Sequence, residues 1–171
     1  MSDRQNLIET ERLIIQKLAE EDAPFILTLL NDQDFQKYIG DKGVRDIDGA
    51  VNYLRTGPLA SYEQYGYGLY LVRLKSDGSE IGICGIVRRP SLNGPDIGFA
   101  FLPQYRRCGY AFEAAKAVRI FAEEKLSIHQ LLAITSLNNN DSIRLLEKLG
   151  FAFVNFIKPD DRSEELRLFS T

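Results

Sequence analysis

Apolar positions along the chain change their period several times, and each change marks an element. Residues 7–18 carry Leu13-Ile14-Ile15 among charged neighbours and read as a first strand. It ends at Ala19-Glu20-Glu21-Asp22, acidic residues suited to a helix start, with Pro24 fitting a first helical turn. Phe25, Ile26, Leu29 and Leu30 then recur at helical spacing, and Ile47, Val51 and Leu54 behind Asp46 predict a second short helix. Residues 67–74 and 81–87 are β-rich runs joined by Ser76-Asp77-Gly78-Ser79, whose Asp-Gly step favours a hairpin between antiparallel strands.

The second half alternates strands with helices. After the turn at Asn93-Gly94-Pro95, residues 96–102 form a strand stopped by Pro103, and residues 103–109 are a polar, basic loop. Residues 111–126 place Ala114, Ala115, Val118, Phe121 and Ala122 on one helical face, the stripe of a helix packed on a sheet. A buried strand follows at 131–135, then cap residues at 138–141, a helix at 142–149 and Gly150 as its left-handed stop. Residues 151–157 and 166–169 are closing strands. There is no repeat or linker, so residues 1–171 form one α/β domain: antiparallel strands first, then a partly parallel mixed sheet flanked by helices.

Composition narrows the partners. With 21 Lys plus Arg against 24 Asp plus Glu, the net charge of −3 gives no general attraction to nucleic acid or an anionic membrane. The polar start Met1-Ser2-Asp3-Arg4-Gln5-Asn6 is unlike a signal peptide, and no apolar stretch approaches the roughly 20 residues that span a bilayer. Cys84 and Cys108 are too few for a disulfide framework and lie in no zinc pattern, so a metal-free protein of the reducing cytoplasm is expected.

The basic loop carries the candidate chemistry. Arg106-Arg107-Cys108-Gly109-Tyr110-Ala111 follows a strand and opens a long helix, where backbone N–H groups and the helix dipole favour an anion. Gly109 permits positive φ or close approach, Ala111 leaves room, and two arginines add charge. A Walker loop and a dinucleotide fingerprint are excluded, since neither Gly-Lys-Ser/Thr nor G-x-G-x-x-G is present.

On these residues the chain resembles the GNAT superfamily of acyl-CoA N-acyltransferases, whose pyrophosphate loop reads Arg/Gln-x-x-Gly-x-Gly/Ala; Arg106, Gly109 and Ala111 fill it. Thr10-Glu11-Arg12-Leu13, Asp96-Ile97-Gly98-Phe99, Gly109-Tyr110-Ala111-Phe112-Glu113-Ala114 and Asn139-Asn140-Asp141-Ser142 with Leu145-Leu146-Glu147-Lys148-Leu149-Gly150-Phe151 are similar to the branch that includes the ribosomal-protein-alanine N-acetyltransferases. The resemblance implies acetyl-CoA as co-substrate, with Arg106, Arg107, Cys108, Gly109, Tyr110 and Ala111 at its pyrophosphate. It also implies backbone groups of Phe101 and Leu102, together with Asn139, along the pantetheine arm. Two positions depart from the wider superfamily: Leu146 stands where a Tyr often serves as acid, and Asp96 where Glu is more typical.

Acetyl transfer to an amine needs a group to take the ammonium proton and one to support the departing thiolate. Asp96 is the candidate for the first and Ser142 for the second, the latter placed near the sulfur by the resemblance. An N–H at 101–102 would polarise the thioester carbonyl. Glu113 suits the helix dipole better than a base, Cys108 has no His to form a nucleophilic pair, and His129 is a single, structural histidine. The acceptor is a primary amine, small or a protein N-terminus, met by the two early helices and the loop at 62–68. Tyr53, Tyr62 and Tyr65 are read as exposed aromatics available to a homodimer or to the acceptor. An acyl-CoA-binding regulatory module without turnover is the alternative.

Overall fold

The first predicted strand is two. In the computed structural model, which describes residues 4–171, β1 (Asn6–Glu9) reverses into β2 (Leu13–Lys17), antiparallel to it. Residues 1–3, part of the polar start read against a signal peptide, lie outside the described residues. The reversal is closed by Thr10, whose N–H donates to Leu13 O and whose hydroxyl accepts from Leu13 N–H, both at 3.0 Å. The turn is the polar run Glu9-Thr10-Glu11-Arg12, which carries no Gly or Pro to mark a reversal within a longer strand.

Four α-helices follow before the next strand. α1 (Ala23–Leu30) buries Phe25, Ile26, Leu29 and Leu30, as their spacing predicts. α2 (Gln33–Tyr38) is unpredicted: it buries only Phe35, too little for a periodic stripe, and forms because Asp32 caps Phe35 N–H at 3.0 Å. α3 (Ile47–Leu54) is capped by Asp46 and runs through a wide π turn, Arg55–Leu59, into α4 (Ala60–Tyr65). The π turn contains Pro58, whose missing N–H would break an α-helical ladder. Gly57-Pro58 therefore reads as a breaker and conceals α4.

β3 (Leu69–Leu74) and β4 (Glu80–Val87) make the expected hairpin, followed by β5 (Asp96–Phe101), α5 (Tyr110–Leu126), β6 (Leu132–Ser136), α6 (Asn140–Lys148), β7 (Ala152–Ile157) and β8 (Leu166–Ser170). They form one eight-stranded sheet in the order β1-β2-β3-β4-β5-β6-β8-β7. All pairs are antiparallel except β5 with β6.

Alternation along the strands feeds a core on each face. Tyr70 and Val72 point to α5, whose Ala114, Ala115, Val118 and Ala122 are fully buried; small side chains let this helix lie close on the sheet. Leu71 and Ile83 point the other way, under Ile26, Leu29 and Leu54 of α1 and α3. Tyr62 belongs to the interior, a correction to its reading as exposed. Its ring stacks on Tyr70 at 5.7 Å, and its hydroxyl accepts Leu18 N–H at 3.0 Å and donates to Leu69 O. Tyr53 is half-buried, and Tyr65 is the exposed one of the three.

The parallel pair is a single bridge. Asp96 faces Leu132, and Leu132 N–H donates to Pro95 O at 2.9 Å; beyond that point β5 and β6 part. The sheet is thus split from within, and the opening lies between two strands rather than at an outer edge.

Candidate functional site

A cavity of about 290 Å³ fills this split. It is walled by β5 and β6, roofed by α2 with Tyr38 and by Tyr53 of α3, and closed below by the start of α6. Ser136 Oγ donates to Tyr38 O at 2.7 Å, tying the roof to β6. Asp96 and Arg89 mark the end where β5 begins, Arg106 and Asn139 mark the end where β5 and β6 finish, and Ser142 lines the cavity from the first turn of α6.

Backbone alternation decides which groups of β5 face the split. Leu102 N–H donates to Ile81 O at 2.9 Å, in register with the β4–β5 ladder, so even-numbered residues spend their groups on β4. Ile97, Phe99 and Phe101 direct theirs toward β6 and the cavity. Of the two residues expected along a pantetheine arm, Phe101 therefore has its N–H on the open side, whereas the Leu102 N–H is consumed within the sheet. Phe101 O is also taken, by Arg106 Nε at 3.0 Å.

The loop after β5 turns into α5 through two left-handed residues, Arg107 at φ 57° and Gly109 at φ 83°. The first intrahelical donor is Glu113 N–H, to Gly109 O at 3.0 Å. The N–H groups of Gly109, Tyr110, Ala111 and Phe112 therefore have no intrahelical acceptor. A Cβ on Gly109 would sit 3.2 Å from Arg12 Nη2. The guanidinium of Arg106 is held by Asp32 at 2.5 Å and Asp34 at 2.6 Å, which anchors the loop to α2. Its charge is largely compensated, so Arg107, with no ion pair among the described residues, is the cation left for a ligand.

The loop is braced from a distance in sequence. Arg12 donates from Nη1 to Cys108 O at 3.0 Å and from Nε to Glu113 Oε2 at 2.7 Å, and its guanidinium lies 4.4 Å from the centre of the Tyr110 ring. Thr10 Oγ1 donates to Glu113 Oε1 at 2.6 Å. Burial alone would raise the pKa of Glu113, but the hydrogen bonds from Thr10 and Arg12 together lower it. Glu113 is thus a fastener between α5 and the Thr10 turn. Cys108 is exposed and Cys84 buried, both as free thiols. His129 is exposed in the loop before β6.

Asp96 is 1% exposed. Arg89 Nε donates to its two oxygens at 3.1 and 3.2 Å. Burial nevertheless outweighs this partner and raises the Asp96 carboxyl to about 6. Asn139 caps α6, its Oδ1 accepting Ser142 N–H at 3.3 Å. This leaves the Asn139 amide N–H₂ for a ligand. The Ser142 hydroxyl has no partner among the described residues.

Sequence patterning missed the rest of the lining. Lys42, Arg89 and Arg162 reach the cavity from three separate connections, and Tyr38 from the unpredicted α2. No period links residues of different loops, so no local signal marks them. The loop at 62–68, expected to meet the acceptor, does not line the cavity. Among the described residues no group of three or more His, Cys, Asp or Glu could hold a metal ion, and no helix is long and apolar enough to cross a membrane.

Residues 12–152 match the family model described as acetyltransferase (GNAT) domain. The chain is 25% identical over 147 residues to YoaA of Bacillus subtilis, named an uncharacterized N-acetyltransferase, covering 85% of this chain and 82% of that one. It superposes on an acetyltransferase from Agrobacterium tumefaciens with a TM-score of 0.80 and 26% identity, over 98% of both chains. A spermidine N-acetyltransferase from Vibrio cholerae, solved with CoA and spermine, shares the fold at a TM-score of 0.78 and 14% identity, over 95% of this chain and 96% of that one.

Proposed function

The chain belongs to the acetyltransferase (GNAT) family, and from that premise we propose that it transfers the acetyl group of acetyl-CoA directly to a primary amine. One observation carries the reading: a cavity runs between β5 and β6 from Arg106, the first residue of the phosphate-type loop, to the buried Asp96, while residues 107–112 lie beyond its lining. The residues present fit the co-substrate. The unpaired amides of residues 109–112, the room at Gly109 and the Arg107 cation suit a pyrophosphate. Phe99, Phe101 and the Asn139 amide suit a pantetheine arm lying in the split as a strand would. Arg106 acts on that arm indirectly, by holding Phe101 O and the loop.

Acetyl-CoA, when bound, supplies a thioester-activated acetyl group. The chain supplies proton handling and charge stabilisation. An amine arrives as an ammonium ion without a lone pair; Asp96, with its pKa raised to about 6, is ionised at neutral pH and positioned to take a proton directly or through a water. A free N–H on the cavity side of β5 polarises the acyl oxygen. The Ser142 hydroxyl supports the departing thiolate with a hydrogen bond. No covalent acyl-enzyme is needed.

Steady-state CoA release across an amine panel, with acetylated product identified by mass spectrometry, tests the proposal. Amine-dependent CoA release with one acetyl group added to the amine is the expected result. Tight acetyl-CoA binding without turnover of any amine would make the chain a binding module instead.

A further inference from the structure

Three cations converge where β5 begins, and no sequence motif announces them. Lys42 comes from the connection between α2 and α3, Arg89 from that between β4 and β5, and Arg162 from that between β7 and β8; all three line the cavity. Arg88 fixes the middle loop by donating from Nη1 to Arg89 O at 3.2 Å and Leu92 O at 2.8 Å. Arg89 spends its Nε on Asp96, leaving both Nη groups without a partner among the described residues. Lys42 and Arg162 make no ion pair among the described residues. Lys42 is exposed overall but lines the cavity, where burial lowers its pKa, Arg89 and Arg162 lower it further, and Asp161 opposes them. The charges that act on this end are therefore Lys42, Arg88, Arg89 and Arg162 against Asp96 and Asp161.

This cluster is not the phosphate site. It sits at the first residue of β5, whereas the α5 amides and Arg107 follow its last; a strand of this length separates them by about 17 Å. Nor is it needed for the Asp96 pair, which uses one nitrogen of one cation.

We infer that the acceptor is a small amine that also carries a carboxylate, bound between Lys42, Arg89 and Arg162 with its amino group toward Asp96. This rests on the acetyltransferase reading above. The same field favours the neutral, nucleophilic form of the amine by repelling its ammonium form, and it disfavours acceptors that bring only positive charge. With about 290 Å³ to share between acceptor and pantetheine arm, the acceptor is of amino-acid size or enters as one terminal residue. The source of the carboxylate is then a free amino acid or an acidic residue at a peptide N-terminus.

Matched acceptors separate these outcomes: an amino acid, its carboxamide, the amine lacking the carboxyl group, short peptides with and without an acidic first residue, and spermine. The expected result is a kcat/KM at least about tenfold higher for the carboxylate than for its carboxamide, since a site built for a charged group rejects the analogue without it. Lys42→Gln and Arg162→Gln should each compress that ratio severalfold, with acetyl-CoA affinity by calorimetry unchanged. A preference for the free amino acid or for the acidic peptide identifies the source. Equal use of carboxylate and carboxamide, or preference for spermine, overturns the inference and leaves the acetyltransferase reading standing. Acetyl-CoA binding with no CoA release from any amine overturns both.

Discussion

The two residues assigned to chemistry differ in what surrounds them, and the difference makes each testable. Asp96 owes its raised pKa first to burial, with Arg89 and then Arg88 pulling it down. If it is the base, kcat/KM should rise about tenfold per pH unit below pH 6 and level off above it, and Asp96→Asn should lose roughly 10²-fold or more in turnover and abolish that limb. The same shift has a sign for stability. The folded state holds the proton more tightly than the unfolded chain, whose Asp titrates near 3.8, so this group's contribution weakens as pH rises from about 4 to 6 and is flat above. Asp96→Asn should remove that dependence from a melting profile. Ser142 is simpler. The cap of α6 is the Asn139 side chain accepting from Ser142 N–H, a backbone group that Ser142→Ala retains. The variant should keep its melting temperature and acetyl-CoA affinity while turnover falls; unchanged turnover would remove Ser142 from the chemistry.

At the level of elements, the junction of β5 and α5 depends on contacts with the Thr10 turn, about a hundred residues earlier. Gly109→Val asks a branched residue to hold φ 83° with its Cβ 3.2 Å from Arg12, so CoA binding should fall sharply while the fold, measured by circular dichroism, survives. Arg12→Ala removes charge-assisted bonds to Cys108 O and Glu113 without touching any cavity residue. A loss of about 1.4 kcal/mol in loop order would appear as a roughly tenfold weaker acetyl-CoA affinity, with kcat nearly unchanged at saturation. These contrasts explain what the sequence made legible. α5 is readable because Ala114, Ala115, Val118 and Ala122 repeat at one period over a long helix, and the loop before it because Gly109 and its neighbours are contiguous. The β1–β2 turn is a short polar run, Glu9-Thr10-Glu11-Arg12, with no Gly or Pro to punctuate it, α2 has a single buried residue, and α4 lies behind Pro58. The acceptor end is illegible for a different reason: Lys42, Arg89 and Arg162 meet only after three loops fold onto β5.

The molecule as a whole keeps its reactive opening inside the sheet, where two cores on opposite faces hold β5 and β6 apart at one end and joined at the other. Such a split costs the backbone its usual partners: the cavity-facing groups of Phe99 and Phe101 lack the ladder bonds that a continuous β5–β6 pair would give them. A ligand lying in the split would restore those bonds and bridge β5, β6 and α6, so binding should be felt by the whole cooperative unit. At acetyl-CoA near 100 times its dissociation constant, stability should increase by about 2.7 kcal/mol, a rise in melting temperature of roughly 5 to 10 °C for a chain of this size. Because the proposed cradle uses amides and Arg107, the rise should be the same with a metal chelator present. Desulfo-CoA should reproduce most of the shift, since the sulfur itself adds no backbone bond, whereas pantetheine without the nucleotide should lose the part due to the α5 amides. A melting temperature that does not move with saturating acetyl-CoA would remove the co-substrate from this cavity, and with it the role assigned to every residue along β5.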